Sequence, residues 1–200
     1  MKLVLETKRL ILREMSLDDL DFVAAMLAHP EVMRYWAKCY NREDSADWIK
    51  RQQKRYASDG VGYWLALDKA SGQPVGEAGL LALQVDGVDE IGLGYIIHRP
   101  FWRMGFASEA AVASMDYALK ILGPSRVIAL IRPENIPSRG VAMKLGMEVE
   151  KSTHHADYEH WVFVNRRTML LPQRGRSAPG GSAVASGGCL CRRRYRCPSS

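Results

Sequence analysis

The hydrophobic positions of the chain change period several times, and each change marks an element. From Arg9 to Arg13 charged and apolar residues alternate, the two-residue period of a half-buried strand. Ser16-Leu17-Asp18-Asp19 then reads as a helix start, with a capping hydroxyl and acids at the positive end of the helix dipole. A second helix is expected after Asn41-Arg42-Glu43-Asp44, with Trp48, Ile49, Gln52 and Tyr56 on one face and an end near Gly60. Pro30 to Tyr40 is an aromatic-bearing linker between the two. Tyr63 to Lys69, Val75 to Val85 and Ile91 to His98 are apolar and aromatic runs parted by Ser71-Gly72 and Asp86-Gly87, the pattern of three consecutive antiparallel strands.

Beyond Gly105 the period lengthens. Ala107 through Leu122 is rich in alanine and free of Gly and Pro until Gly123, which predicts a helix. Val127 to Ile131 predicts a short buried strand, and Asn135-Ile136-Pro137-Ser138 opens a short helix that Gly146 stops. Met147 to Thr153 and Glu159 to Asn165 supply two further strands. The order is mixed α/β, without internal repeats.

Composition narrows the picture in three ways. With 200 residues, 47% of them hydrophobic, the chain can bury one sizeable core, and a single domain is expected over 1–170. Residues 171–200 are dominated by Gly, Ser, Pro, Arg and Cys, cannot furnish a packed core, and are expected to form a disordered basic tail. Arg174, Arg176, Arg192, Arg193, Arg194 and Arg196 in that tail account for the whole formal charge of +6. The body is thus neutral, which argues against a nucleic-acid partner, because phosphate affinity needs a basic face on the folded part.

Only Cys39 lies in the body; Cys189, Cys191 and Cys197 lie in the tail, so no disulfide framework holds the fold. The tail cysteines lack a fourth ligand at suitable spacing, and no metal is expected. Lys2, Glu6, Lys8 and Arg9 break up the start of the chain, no stretch is apolar for long enough to span a bilayer, and the expected location is cytoplasmic, with no membrane partner.

The chemistry concentrates in Leu93 to Ala110. A strand, Leu93-Gly94-Tyr95-Ile96-Ile97-His98, runs through Arg99-Pro100-Phe101-Trp102-Arg103-Met104-Gly105 into the helix that begins Phe106-Ala107-Ser108-Glu109-Ala110. A glycine-containing turn at a helix N-terminus presents unpaired backbone N–H groups where the dipole also favours negative charge, a cradle for a diphosphate. Gly105 lets the backbone approach and Ala107 leaves the first turn clear.

This stretch is similar to the acetyl-CoA motif of the GNAT N-acetyltransferases, and Arg99 to Ala110 resembles the Trp-Gly-x-Gly-Tyr-Ala-x-Glu-Ala run of their RimJ/RimL-like branch. Trp102 stands at the first position of the motif and Arg103 where glycine is commoner. Arg9-Leu10-Ile11-Leu12-Arg13, His29-Pro30-Glu31-Val32-Met33, Arg132-Pro133-Glu134-Asn135, Ser138 and Leu145-Gly146-Met147 extend the resemblance over residues 8–168. It implies a GNAT fold, with a mixed and mainly antiparallel sheet of six to seven strands flanked by about four helices. The implied reaction transfers acetyl from acetyl-CoA to a primary amine by direct attack.

The implied cofactor-binding residues are Trp102, Arg103, Met104, Gly105, Phe106, Ala107 and Ser108 for the diphosphate, and Tyr95, Ile96, Ile97 and Asn135 for the pantetheine arm. The arm would add to the strand edge through backbone hydrogen bonds, and one N–H there would polarise the thioester carbonyl. Many family members protonate the departing thiolate with a tyrosine whose position here is Ala142. Ser138 is the implied substitute; as a residue favoured at helix starts, it reads equally as a cap.

For the base, Glu90 is the first choice, since strand alternation puts it on the same face as Gly92, where the family often carries an acid. Glu77, His154, His155 and Asp157 are the other candidates, because Leu130 fills a further family position for glutamate. Tyr35, Trp36, Tyr40, Trp64 and Trp161 are available either to an acceptor cleft or to the core. The acceptor is expected to be a protein N-terminal α-amine or a small-molecule amine, for a monomer or homodimer. The rival readings are an aminoglycoside- or polyamine-directed enzyme, which an acidic cleft would support, and a non-catalytic acyl-CoA-binding sensor.

Overall fold

The computed structural model describes residues 2–166; the expected tail lies outside the described residues. Strands β1 (Leu3–Glu6) and β2 (Leu10–Arg13) precede helices α1 (Leu20–Leu27) and α2 (Arg42–Ser58). Then come β3 (Tyr63–Asp68), β4 (Pro74–Val85), β5 (Val88–Ile97), α3 (Phe106–Tyr117), β6 (Arg126–Ile131), α4 (Ile136–Lys144), β7 (Glu148–His155) and β8 (Tyr158–Arg166). Among the described residues the sheet has eight strands in the order β1-β2-β3-β4-β5-β6-β8-β7, and every neighbouring pair is antiparallel except β5 with β6.

Eight strands exceed the expected six to seven. The addition is β1, four residues paired through β2 alone and half exposed, too short and too little buried to impose a hydrophobic period. Ser16 caps as expected, and Asp19 reciprocates to complete a capping box, which closes a 3-10 turn over Leu17–Asp19 before α1 begins. Asn41 and Asp44 do the same for α2. The alanine-rich helix keeps α geometry to Tyr117 and widens to π geometry over Ala118–Leu122, where Gly123 at φ 71° ends it.

Two cores flank the sheet. On one face the small residues Ala110, Ala111 and Ala118 let α3 lie close to Leu10, Leu12, Trp64, Ala78 and Leu80. On the other, Val23, Met26, Leu27, Trp48 and Ile49 of α1 and α2 pack on Tyr63, Leu65 and Ile96. Among the described residues no helix is long and apolar enough to cross a membrane.

Candidate active site

The segment between β5 and α3 is held from below rather than by its own contacts. Arg9 donates from Nη1 to the Met104 carbonyl at 2.9 Å, pairs through Nε with Glu109 at 2.6 Å, and stacks 4.6 Å over the Phe106 ring. Thr7 Oγ1 and the Arg9 N–H also donate to Glu109, which these bonds hold below the usual carboxylate range against its own desolvation. At the other end the Trp102 indole donates to the Ile97 carbonyl at 2.7 Å, closing the strand. Sequence reasoning took Arg9 only as part of a strand and missed this brace.

So braced, the segment has left-handed φ at Arg103 (64°) and Gly105 (83°). The first is costly for an L side chain, which carries about 1 kcal/mol or more of backbone strain there that glycine would not. The first helical bond of α3 is Glu109 N–H to Gly105 carbonyl, at 3.1 Å. From Arg103 to Ser108 no backbone N–H finds an acceptor among the described residues. Six consecutive donors at the positive end of a twelve-residue helix fit a diphosphate.

The adjoining strand edge fits a pantetheine arm. β5 pairs with β4 along its whole length, from Gly76↔Ile97 to Val85↔Val88, but with β6 at the single position Gly92↔Ile128. Past Gly92 the two strands part, leaving the β6-facing edge of Tyr95, Ile96 and Ile97 open. One cavity, of about 530 Å³, runs from this edge to Trp102, Arg103, Gly105, Phe106, Ala107 and Ser108. A second, of about 410 Å³, lies on the α1–α2 face of the sheet and reaches the β7–β8 hairpin. Tyr35, Trp36, Tyr95, Asn135 and Ser138 line both, so the cavities meet at the start of α4.

At that junction Asn135, not Ser138, caps α4: its Oδ1 accepts from the Ser138 N–H at 3.1 Å. With Asn135 in the capping position, Ser138 sits inside the first turn of α4, and its side chain lies within reach of the Tyr95 phenol. The Tyr95 phenol donates to the Ser138 carbonyl at 2.9 Å, and burial pushes its pKa up. Tyr95 thus brings a side chain to the junction of the cavities, besides its place on the open strand edge. Ala142 is buried in the core beneath α4.

The base candidates separate. Glu90 lines neither cavity; its buried carboxylate pairs with the Arg126 guanidinium, which also holds Glu150 at 3.0 Å. The structure does not bring it to the site, because the face it shares with Gly92 is closed at that level by Arg126. Glu77 is fully buried behind the second cavity, accepts from the Trp48 indole at 3.1 Å, and has its pKa pushed up to about 8 by desolvation. His154 and Asp157 are exposed and line neither cavity, whereas His155 lines the second.

Sequence reasoning missed His160, which also lines the second cavity. Its Nδ1 lies 3.0 Å from the Tyr158 carbonyl. A carbonyl can only accept, so Nδ1 carries the proton and Nε2 keeps a free lone pair. Desolvation lowers its pKa, against the bond to Tyr158, with the nearby His155 ring and Arg132 lowering it further and Glu134 opposing them. The signal was present as His160 on the same strand face as Tyr158, but only the hairpin register places that face over the cavity.

Of the aromatic candidates, Tyr35, Trp36 and Tyr40 line the second cavity together with Trp48 and Tyr63. Trp64 is core, and Trp161 lies under Arg139, whose guanidinium sits 4.6 Å over its ring. Gly94 is required here, since any Cβ would collide with the Tyr63 hydroxyl.

A family model described as an acetyltransferase (GNAT) domain matches residues 9–148 of this chain. An uncharacterized protein of Bacillus subtilis, YkkB, is 32% identical over 152 residues, covering 76% of this chain and 88% of the relative. Two solved structures in complex with coenzyme A share the fold at a TM-score of 0.67. One is the RimL ribosomal L7/L12 alpha-N-protein acetyltransferase, 12% identical, covering 82% of this chain and 98% of its own. The other is an aminoglycoside acetyltransferase, AAC(6')-Ib, 16% identical, covering 79% and 95%. Equal likeness to a protein-directed and an aminoglycoside-directed enzyme leaves the acceptor to be read from the cavity itself.

Proposed function

The chain belongs to the GNAT acetyltransferase family, and on that footing we propose that it transfers the acetyl group of acetyl-CoA to a primary amine held in the second cavity. Acetyl-CoA supplies an activated acyl carbon; the chain supplies position and proton control. The N–H groups of Arg103 to Ser108 bind the diphosphate, the open edge of Tyr95, Ile96 and Ile97 takes the pantetheine, and Asn135 borders it at the junction. The amine is deprotonated by His160 Nε2. Its nitrogen then attacks the carbonyl carbon, the C–S bond breaks, the new amide nitrogen releases a proton, and the departing sulfur gains one. That proton comes either by relay through the Ser138 hydroxyl, which takes a proton as it gives one up, or from water while the serine hydrogen-bonds the sulfur.

The observation that carries this reading is the meeting of the two cavities at Tyr95, Asn135 and Ser138, which lets a donor in one and an acceptor in the other reach one point. The His160 and Ser138 roles rest on their place in the second cavity, on the tautomer fixed by Tyr158, and on a serine that stands beside the Tyr95 phenol where the two cavities meet. Acetyl-CoA consumption over a panel of peptides and small amines, beside calorimetric titration with CoA, tests the whole. Turnover of at least one amine is expected. CoA binding without turnover of any would instead mark an acyl-CoA-binding protein, a reading that the loss of the usual acid at Ala142 favours.

A further inference from the structure

The second cavity has an unusual charge balance for an amine site. Among the described residues no aspartate or glutamate lines it, while two guanidinium groups, Arg55 and Arg132, do. Arg132 is already engaged: it pairs with Glu134 at 2.5 Å and lies 4.1 Å over the Tyr158 ring. Arg55 is not. It is half-buried in the last turn of α2, its hydrogen-bond partner is Gln52 Oε1 at 3.4 Å, and among the described residues it has no carboxylate partner. Gln52 is itself committed to the Tyr63 N–H at 3.0 Å, so it offers the guanidinium little.

A half-buried guanidinium beside a cavity, with four donors unused, is a receptor for a planar anion. The α2 C-terminus stabilises the cation in part, through the helix dipole, without occupying its donors. The same wall carries Trp36, Tyr40, Trp48, Leu81 and Leu83, an apolar surface for the body of a small molecule. Glu77, the nearest buried acid, has its pKa raised and is walled off by Trp48, so it adds no accessible counter-charge for a cation. A polyamine or an aminoglycoside would bring several positive charges to a wall that bears only positive ones.

We infer that the acceptor is an amine that carries its own carboxylate a few bonds from the nitrogen, with Arg55 receiving the carboxylate while the amine faces His160. The inference rests on the acetyl-transfer reading above and narrows its substrate class. Two sources share this chemistry, a free amino acid and a peptide N-terminus followed by an acidic side chain; a cavity of about 410 Å³ holds either the first whole or the end of the second.

The test compares initial rates of acetyl transfer to free amino acids, their uncharged amides, Ala-Asp and Ala-Asn peptides, spermidine and an aminoglycoside. The wild type, Arg55→Leu and Arg55→Lys are assayed side by side. Carboxylate-bearing amines are expected to be preferred over their amides, and Arg55→Leu to raise their KM by roughly 10- to 100-fold, the scale of one charge-assisted hydrogen bond. kcat, the KM for acetyl-CoA and the KM for the amides should move little, and Arg55→Lys should recover part of the loss. Preference for amino acids over Ala-Asp assigns the free acid, and the reverse assigns the acidic N-terminus. Equal use of acids and amides, or preference for spermidine or the aminoglycoside, overturns the inference and leaves acetyl transfer standing. CoA binding with no amine turned over rejects both.

Discussion

The donor and acceptor cavities share five residues but are built from different materials. The donor side is main chain: six N–H groups from Arg103 to Ser108 and one open strand edge, all within a single run of sequence. The acceptor side is side chains drawn from the segment after α1, from α2 and α4, and from β3, β4, β5, β6, β7 and β8, which are far apart in sequence. Main-chain recognition tolerates many side chains and asks only for a conformation, here set by Gly105 and the Arg9–Glu109 brace. Side-chain recognition asks for particular groups and varies with the substrate.

This contrast makes the donor side the more fragile to a single well-placed charge. Gly105→Glu puts a carboxylate beside the diphosphate position, on a residue at φ 83° whose Cβ would meet the Arg9 guanidinium at 3.3 Å. CoA affinity is expected to fall by roughly 100-fold or more, as the cradle loses both shape and positive potential. Calorimetry reads this directly, and unchanged affinity would show that the diphosphate lies elsewhere.

On the acceptor side the largest effect belongs to His160→Gln, which should lower kcat/KM for the amine by roughly 100-fold or more while sparing CoA binding. The sign of its pH dependence follows from the lowered pKa. His160 is neutral and competent at pH 7, and loses that competence only as pH falls below the ordinary imidazole range. The corresponding acid limb of the rate profile should vanish in the variant; a profile of unchanged shape would reject His160 as the base. Ser138→Ala should act more weakly, by roughly 10-fold on kcat with CoA affinity intact, because a thiolate can also take its proton from water. Normal turnover in that variant would leave the serine without a role in proton transfer.

The smallest effect is one of stability. The pKa of Glu77 is raised on folding from its ordinary 4.5 to about 8, so between those values the folded chain binds the extra proton. Stability from this group is full below about pH 4.5, declines as pH rises toward 8, and changes no further above it. Glu77→Gln keeps an acceptor for the Trp48 indole and should flatten the slope of melting temperature over that window. An unaltered slope would mean that the carboxyl is ionised in place.

Legibility divides along the same line. The run from Leu93 to Ala110 pointed to a turn rich in free backbone donors because a strand, a glycine turn and an alanine-rich helix are contiguous, and the seven expected strands and the helices near them follow from local period. β1 was missed because four half-exposed residues carry no period. Arg103 read as a mild departure, since its left-handed φ is a property of the folded turn. Glu90 was misplaced because strand alternation gives a face but not what covers it, here Arg126 arriving from β6. Arg55 and His160 were invisible for the converse reason: each sits on an ordinary helix or strand face until tertiary packing brings it to the cavity.

The most direct measurement is a backbone amide NMR titration with CoA. The account predicts that the largest shift changes fall on Arg103 to Ser108 and on Tyr95 to Ile97, with those of the β7–β8 hairpin small until an amine is added. Large changes elsewhere, with the amides of Arg103 to Ser108 unmoved at saturation, would contradict it.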